Sequence, residues 1–227
     1  MKLLCVDTAT STESIAIVDG QEVLALHSAE RGGVHGPDLL DDIHQLMAQA
    51  GLTLADMDGF CVGLGPGSFT GLRISLATLK GLALATQKPL FGARTTQALI
   101  QGSKTEDAVA IIDARRNEIY VEGGPLTSPI CCAPSALTAY LPRERTWTFV
   151  GDGALKYQHV LEETVQCKID KNVEIHRPCA ANLGWLIDLA TPEPLATLEP
   201  IYVRKSDAEI NYPDGFPDAA KRTFGSG

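Results

Sequence analysis

Gly63-Leu64-Gly65-Pro66-Gly67-Ser68-Phe69-Thr70-Gly71-Leu72-Arg73 is a glycine-rich turn that runs into a helix with apolar residues on almost every side. Upstream, Gly59-Phe60-Cys61-Val62 is a short apolar run bounded by turn residues, the pattern of a buried strand. Gly65, Pro66 and Gly67 punctuate the turn, because glycine tolerates positive φ and proline fixes its own. Ser68 or Thr70 can cap the helix that follows. That helix is predicted over Phe69–Thr86 and carries Leu72, Ile74, Leu76, Leu79, Leu82 and Leu84 around most of its circumference. A helix that is apolar all round is covered on more than one side. In a chain of 227 residues, another protein is a natural second cover.

Before the turn, residues 3–6, 14–18 and 23–28 read as a three-stranded meander with Asp19-Gly20 as a hairpin turn. Residues 37–50 read as a helix, with Leu39, Leu40, Ile43, Leu46, Met47 and Ala50 at helical spacing and Gly51 at its end. Residues 1–104 therefore run strand, strand, strand, helix, strand, helix, strand, helix. A second unit echoes the first. Residues 3–7 form an apolar strand ending in Asp7, followed by Glu13 and another apolar run; residues 109–113 end in Asp113, followed by Glu118-Ile119-Tyr120-Val121. Strand, Asp, polar turn, Glu, strand thus occurs twice, the trace of a duplicated lobe. In the second lobe helices are expected near 134–140, 153–163 and 180–190, and Gly123-Gly124-Pro125 ends its hairpin early. The expected division is an N-terminal lobe over 1–105, a reduced C-terminal lobe over 106–210 and a mobile tail over 211–227.

The turn and three further stretches carry a family resemblance. These are Leu4-Cys5-Val6-Asp7-Thr8-Ala9-Thr10, Ile112-Asp113-Ala114-Arg115 and Glu199-Pro200-Ile201-Tyr202-Val203-Arg204. In order and at sensible spacing from Met1 to about Arg204, they resemble TsaB-type proteins, the non-catalytic subunit of the bacterial tRNA threonylcarbamoyladenosine machinery. The resemblance implies an α/β fold of two RNase H-like lobes, as in the actin, sugar-kinase and Hsp70 architecture (ASKHA), with mixed sheets flanked by helices. In that architecture paired hairpins cradle nucleotide phosphates between the lobes, and Gly151-Asp152-Gly153 stands where an adenosine-side turn is often placed.

Composition is that of an ordinary folded protein, with 44% hydrophobic and 21% charged residues. No apolar run approaches the ~20 residues that span a bilayer. The opening strand ends in an acid, unlike a secretory leader. Cysteines at 5, 61, 131, 132, 167 and 179 form no CxxC pair and no regular spacing, so reduced thiols and a cytoplasmic location are expected. Net charge is −9 and the basic residues are scattered, whereas phosphate backbones reward clustered Lys and Arg. tRNA is therefore an indirect partner at most.

Asp7 at a strand end reads equally well as an acid for a metal–phosphate unit and as the cap of the following turn. The Gly65–Gly67 turn can offer amides to an anion, but it lacks the P-loop lysine and the GxGxxG frame, and its glycines read as permitting a tight strand-to-helix turn. Asp7, Thr8, Gly65, Gly67 and Asp113 are the candidate remnants of a nucleotide site, with no cofactor expected to bind tightly and ATP or ADP expected to bind weakly, at a heteromeric interface. The catalytic TsaD-type paralogue carries an HxxxH metal pair that this sequence replaces with Thr95 and Leu99, and His27, His159 and His176 look isolated. No metal site and no nucleophile with a base are therefore expected.

The function this implies is a pseudo-enzyme scaffold for threonylcarbamoyl transfer to the adenosine beside the anticodon of ANN-decoding tRNAs. Phe69, Leu72, Arg73, Leu76, Leu79 and Lys80, with Leu39 and Ile43 of the earlier helix, are the expected partner interface. The resemblance implies the TsaD-type paralogue and a TsaE-type ATPase as partners, a homodimer when the chain is alone, and no membrane. The alternatives are a small-molecule kinase or ATPase using Asp7 and Asp113 around Mg-ATP, and, more remotely, a metalloprotease.

Overall fold

The computed structural model of the chain describes residues 1–32 and 38–204. The first sheet is built from β1 (Lys2–Asp7), β2 (Thr12–Asp19), β3 (Glu22–Glu30), β4 (Gly59–Gly63) and β5 (Leu90–Ala93), in the order β3-β2-β1-β4-β5. The meander is antiparallel, and β4 and β5 add in parallel to β1. The second sheet contains β6 (Ala108–Arg115), β7 (Glu118–Gly123), β8 (Leu126–Cys132), β9 (Trp147–Val150) and β10 (Cys167–Ile169), in the order β8-β7-β6-β9-β10. Each sheet thus starts with an antiparallel meander and grows on the far side of its first strand by parallel pairing. This is the two-lobe α/β architecture with mixed sheets that the duplicated motif implies.

Alternation along the strands sorts the core. Leu4, Val6, Ile15, Ile17, Phe60 and Val62 point to one face of the first sheet, where α1 (Leu39–Gln49) and α2 (Phe69–Thr86) cover them. Leu3, Cys5, Ala16, Val18 and Cys61 point to the other, against α3 (Thr95–Ser103) and α6 (Ala180–Gly184). On its opposite side α3 supplies Leu99 to a cluster with Ala110, Ile112 and Tyr120 of the second sheet. The outer face of that sheet is closed by α4 (Asp152–Lys156), α5 (Gln158–Thr164) and a 3₁₀ turn at Pro134–Ala139. Among the described residues no helix is long and apolar enough to cross a membrane.

The second lobe is reduced in its helices and not in its sheet. The expected helix over 153–163 is broken into α4 and α5, and the one over 180–190 stops at Gly184. Gly123 and Gly124 do not end the hairpin; both take positive φ and turn the chain into β8. β10 has only three residues, and β8 is interrupted by Pro129 and lacks a clean alternation, which is why the sequence does not announce them. The expected tail over 211–227 lies outside the described residues, as do residues 33–37, including His35 and the start of the helix expected from residue 37.

The apolar circumference of α2 has an internal cause. Leu76, Leu79 and Ala83 join the sheet and α1 in one cluster, and Leu195, Leu198 and Ile201 of the returning chain pack against the same cluster. The chain's own α1 and its C-terminal return thus share in covering this side of α2. This corrects the expected interface: Leu39, Ile43, Leu72, Leu76 and Leu79 are buried within their own lobe. Fully burying a leucine stabilises by about 1.5–3 kcal/mol, so none of them is spare for a partner. The small residues Gly71 and Ser75 also face inward; Ser75 donates to the carbonyls of Gly71 and Leu72. The side of α2 that does face outward carries Thr70, Arg73, Ala77, Gly81, Leu84 and Ala85, with Leu84 73% exposed. Lys80 is partly buried at its margin.

Candidate functional site

The glycine-rich turn sits where β4 hands over to α2. Ser68 caps the helix by accepting the Gly71 N–H at 3.2 Å. The turn is pressed against the loop after β1: a side chain at Gly67 would run into the carbonyl of Ala9, and Ser68 N–H donates to that carbonyl at 2.6 Å. Gly65 has a φ of 87° and its N–H donates to Thr95 Oγ1 at 3.2 Å. Thr8 donates its hydroxyl to the carbonyl of Gly71 at 2.8 Å. The glycines thus allow two backbone segments to touch.

Asp7 closes this arrangement. Its carboxylate is fully buried, accepting the Ala9 N–H at 2.9 Å on one oxygen and the Thr95 hydroxyl at 2.7 Å on the other. Gly63 leaves no space beside it, since a Cβ there would overlap Oδ2. The Ala9 bond is the turn-capping role that the sequence allows for this acid. As placed, Asp7, Thr8, Gly65 and Gly67 are brought together, but they pack on one another and do not form an open cradle for a nucleotide phosphate.

Asp113 occupies the equivalent strand position in the second lobe and is far from them in role. Its carboxylate accepts from Lys156 Nζ at 2.6 Å, from the Tyr157 hydroxyl at 3.0 Å and from Arg115 N–H at 3.0 Å. Bonding to Asp113 holds the Lys156 ammonium above its usual range. The Asp113 N–H donates to Asp152 Oδ1 at 3.1 Å, and burial pushes the Asp152 carboxyl up to about 6. Gly151 and Gly153 bring α4 directly onto the backbone of β6, where any side chain would collide with residues 111–113. That close approach explains the Gly-Asp-Gly turn. Beyond Asp113, Arg115, Arg116 and Asn117 have φ of 63°, 51° and 60°, the left-handed pair of a two-residue hairpin preceded by a bulged residue.

α3 starts where a metal pair stands in the TsaD-type pattern. Thr95 holds Asp7, as described, and Leu99 is buried between the lobes. Thr96 donates to Glu122, a buried acid of β7 that also pairs with Arg94 at 2.8 Å. These contacts join the lobes and had no sequence signal, because Glu122 lies 26 residues from Thr96 on the other sheet.

The outward face of α2 begins with a stack. Phe69 and Tyr202 have ring centroids 4.5 Å apart, and the Arg73 guanidinium lies 4.0 Å above the Phe69 ring and donates from Nε to the Tyr202 hydroxyl at 3.1 Å. Ile201 N–H donates to the Leu64 carbonyl at 2.8 Å, and Arg204 pairs with Glu118 of the second lobe at 3.1 Å. The late motif is thus a strap from the first lobe to the second.

A histidine read as isolated in sequence is not so in space. His27 of β3 lies beside Glu13 of β2 and Asp42 of α1, their ligand atoms all within 4.8 Å of one another. Arg31 pairs with both acids. Burial, then sharing with Asp42, raises the Glu13 carboxyl against the opposing pull of Arg31. The missed signal was register: Ile15 pairs with His27, which puts residues 13 and 27 diagonally on the face that α1 covers. His159 sits at the surface near Glu163, and His176 is buried with its ring nitrogens near the carbonyls of Gly151 and Asp170.

Comparison with known proteins agrees with these motifs. The family model for TsaD, tRNA N6-adenosine threonylcarbamoyltransferase, matches residues 29–128. The tRNA threonylcarbamoyladenosine biosynthesis protein TsaB of Escherichia coli is 34% identical over 124 residues, a match that spans 53% of each chain. The protein of the same name from Haemophilus influenzae is 28% identical over 232 residues, covering 90% of this chain and 94% of its own. The solved structure of YeaZ from Pseudomonas aeruginosa superposes with a TM-score of 0.74 at 26% identity, over 89% of this chain and 100% of that one. With sequence agreement over nearly the full length and a shared arrangement of both lobes, the chain is a TsaB/YeaZ-type protein.

Proposed function

We propose that this chain acts in tRNA threonylcarbamoyladenosine biosynthesis as a non-catalytic scaffold, docking α1 and α2 onto a TsaD-type catalytic paralogue. The names of its relatives support the pathway. The observation that carries the scaffold role is the fate of Asp7. The acid that an actin-like phosphotransferase would aim at a metal–phosphate unit is here fully buried and engaged by Ala9 and Thr95. Asp113, its counterpart, is engaged by Lys156 and Tyr157. The kinase reading needs both acids free to face Mg-ATP, and this arrangement disfavours it.

The docking surface in this reading is the outward side of the two helices. It comprises Arg73, Ala77, Gly81, Leu84 and Ala85 of α2, and Leu40 of α1, which is 56% exposed. Small residues let another helix approach closely, and exposed leucines supply apolar area at its rim. The same face serves a second copy of the chain when the paralogue is absent. A TsaE-type ATPase joins the pair, tRNA is held mainly by the other subunits, and ATP or ADP touches this chain only weakly, where the subunits meet. The scaffold acts by contacting one conformation of the paralogue better than another. Light scattering on this chain mixed with its TsaD-type paralogue tests the reading, with each protein alone as control. A heteromer that replaces the homo-oligomer supports it; two unmixed species, with nucleotide and the ATPase subunit present, overturn it.

A further inference from the structure

Glu13, His27 and Asp42 arrive from three elements, β2, β3 and α1, and present one nitrogen and two carboxylate donors within 4.8 Å of one another. Among the described residues this is the one grouping of its kind. Glu13 is buried and Asp42 nearly so, with side-chain exposures of 1% and 13%. His27 Nε2 is buried and has no hydrogen-bond partner. An imidazole nitrogen without a partner, sealed beside two carboxylates, wastes its strongest interaction, because either tautomer has something to gain from a hydrogen bond or a metal.

We infer that Glu13, His27 and Asp42 form a binding site for a divalent ion of the zinc class, which pins α1 to the β2–β3 hairpin. The donor set selects this class. One imidazole with carboxylates suits zinc and its neighbours, whereas magnesium and calcium take oxygen alone. Tetrahedral ligands at about 2.0–2.2 Å from an ion lie about 3.3–3.6 Å apart, so the observed spacing needs only small side-chain rotations. Arg31 now balances the two acids, and its pairs with Glu13 and Asp42 are the competing occupant. The guanidinium has somewhere to go. It already reaches Asp38 at 3.6 Å, and Asp38 is open to solvent at the rim. A doubly charged ion neutralises both buried carboxylates and satisfies His27, which the singly charged guanidinium leaves unpaired. Water completes the coordination.

The experiment is zinc titration by calorimetry, with cobalt(II) as a spectroscopic stand-in, on the full chain and on three variants. One equivalent of zinc is expected to bind the parent chain, with at least tenfold weaker binding in His27→Ala and in Asp42→Asn. Arg31→Gln removes the competing cation and is expected to bind more tightly, and it keeps the test decisive should another variant fold poorly. The cobalt form is expected to show ligand-field bands without thiolate charge transfer, since six free cysteines are the rival ligands. Uptake that survives His27→Ala with a thiolate band assigns the metal to cysteine and overturns the site. No uptake by either the parent chain or Arg31→Gln also overturns it and leaves an ion-pair network. Neither result depends on whether the chain binds a TsaD-type partner.

Discussion

Thr95 Oγ1 donates a 2.7 Å hydrogen bond to Asp7 Oδ2 across 88 residues of sequence, and both groups are fully buried. The same hydroxyl accepts the Gly65 N–H, so one threonine at the start of α3 ties the strand-end acid to the glycine-rich turn. Replacing it with valine keeps the shape and removes both bonds. A buried acceptor left without its partner costs about 1–3 kcal/mol. Thr95→Val is therefore expected to lower unfolding free energy by that amount in urea, and Thr95→Ser to restore most of it. Equal stability of the valine variant and the parent chain would show that Asp7 is not held this way.

Two leucines of α2 separate folding from assembly. Leu79 is fully buried beneath the helix, whereas Leu84 is 73% exposed. A glutamate at 79 buries an unpaired charge, and Leu79→Glu is expected to unfold the first lobe, a loss above about 4 kcal/mol. Leu84→Glu is expected to change stability by less than about 0.5 kcal/mol while weakening heteromer and homodimer formation at least tenfold. Thermal melts beside light scattering distinguish these outcomes. Unchanged assembly by a folded Leu84→Glu chain would move the interface off this face.

The same pair shows what sequence can and cannot tell. Periodicity marks α2 from Phe69 to Thr86 and marks both strand-end acids, because those patterns are local. It cannot tell which apolar side of α2 meets the sheet and which meets solvent, since leucines stand on both. Part of the cover, Leu195, Leu198 and Ile201, lies more than a hundred residues away in sequence. The duplication was legible from β1 and β6 with the strands that follow them, but β10, a three-residue strand, carries too little pattern to be seen. The Glu13–His27–Asp42 grouping depended on a hairpin register with a bulge at Ile17/Val18, and on where α1 docks. Neither is written in composition.

Arg94 and Glu122 give a test of how the lobes are joined. The Glu122 carboxylate is buried on β7 and is held by Arg94 at 2.8 Å and by the Thr96 hydroxyl. Arg94 keeps some contact with solvent, which moderates its share. Arg94→Ala leaves the acid with the hydroxyl as its remaining named partner and is expected to destabilise by about 2 kcal/mol. The double variant Arg94→Ala with Glu122→Gln is expected to recover part of that loss, because no buried charge is left unpaired. A double variant that is the plain sum of the two single ones would show the groups to be uncoupled.

Asp152 makes the second lobe sensitive to pH. Burial is the main cause that pushes its carboxyl up to about 6 from 3.8; the Asp113 charge adds to it, and N–H bonds from Asp113 and Gly153 and the Arg115 charge oppose it. Lys156 and Tyr157 bond to Asp113 and complete the charged surroundings. With the folded value above the unfolded one, the folded chain holds a proton between these limits that the unfolded chain has released. The contribution is fully present below about pH 4 and is lost as pH rises through about 6. Asparagine at this position keeps an acceptor for the Asp113 N–H and has nothing to ionise. Asp152→Asn is therefore expected to be more stable than the parent chain by about 1–3 kcal/mol at pH 7.5, with the advantage gone at pH 3.5. Urea unfolding across that range measures it. Parallel stability curves for the two proteins would mean that Asp152 ionises in the folded chain as freely as in the unfolded one.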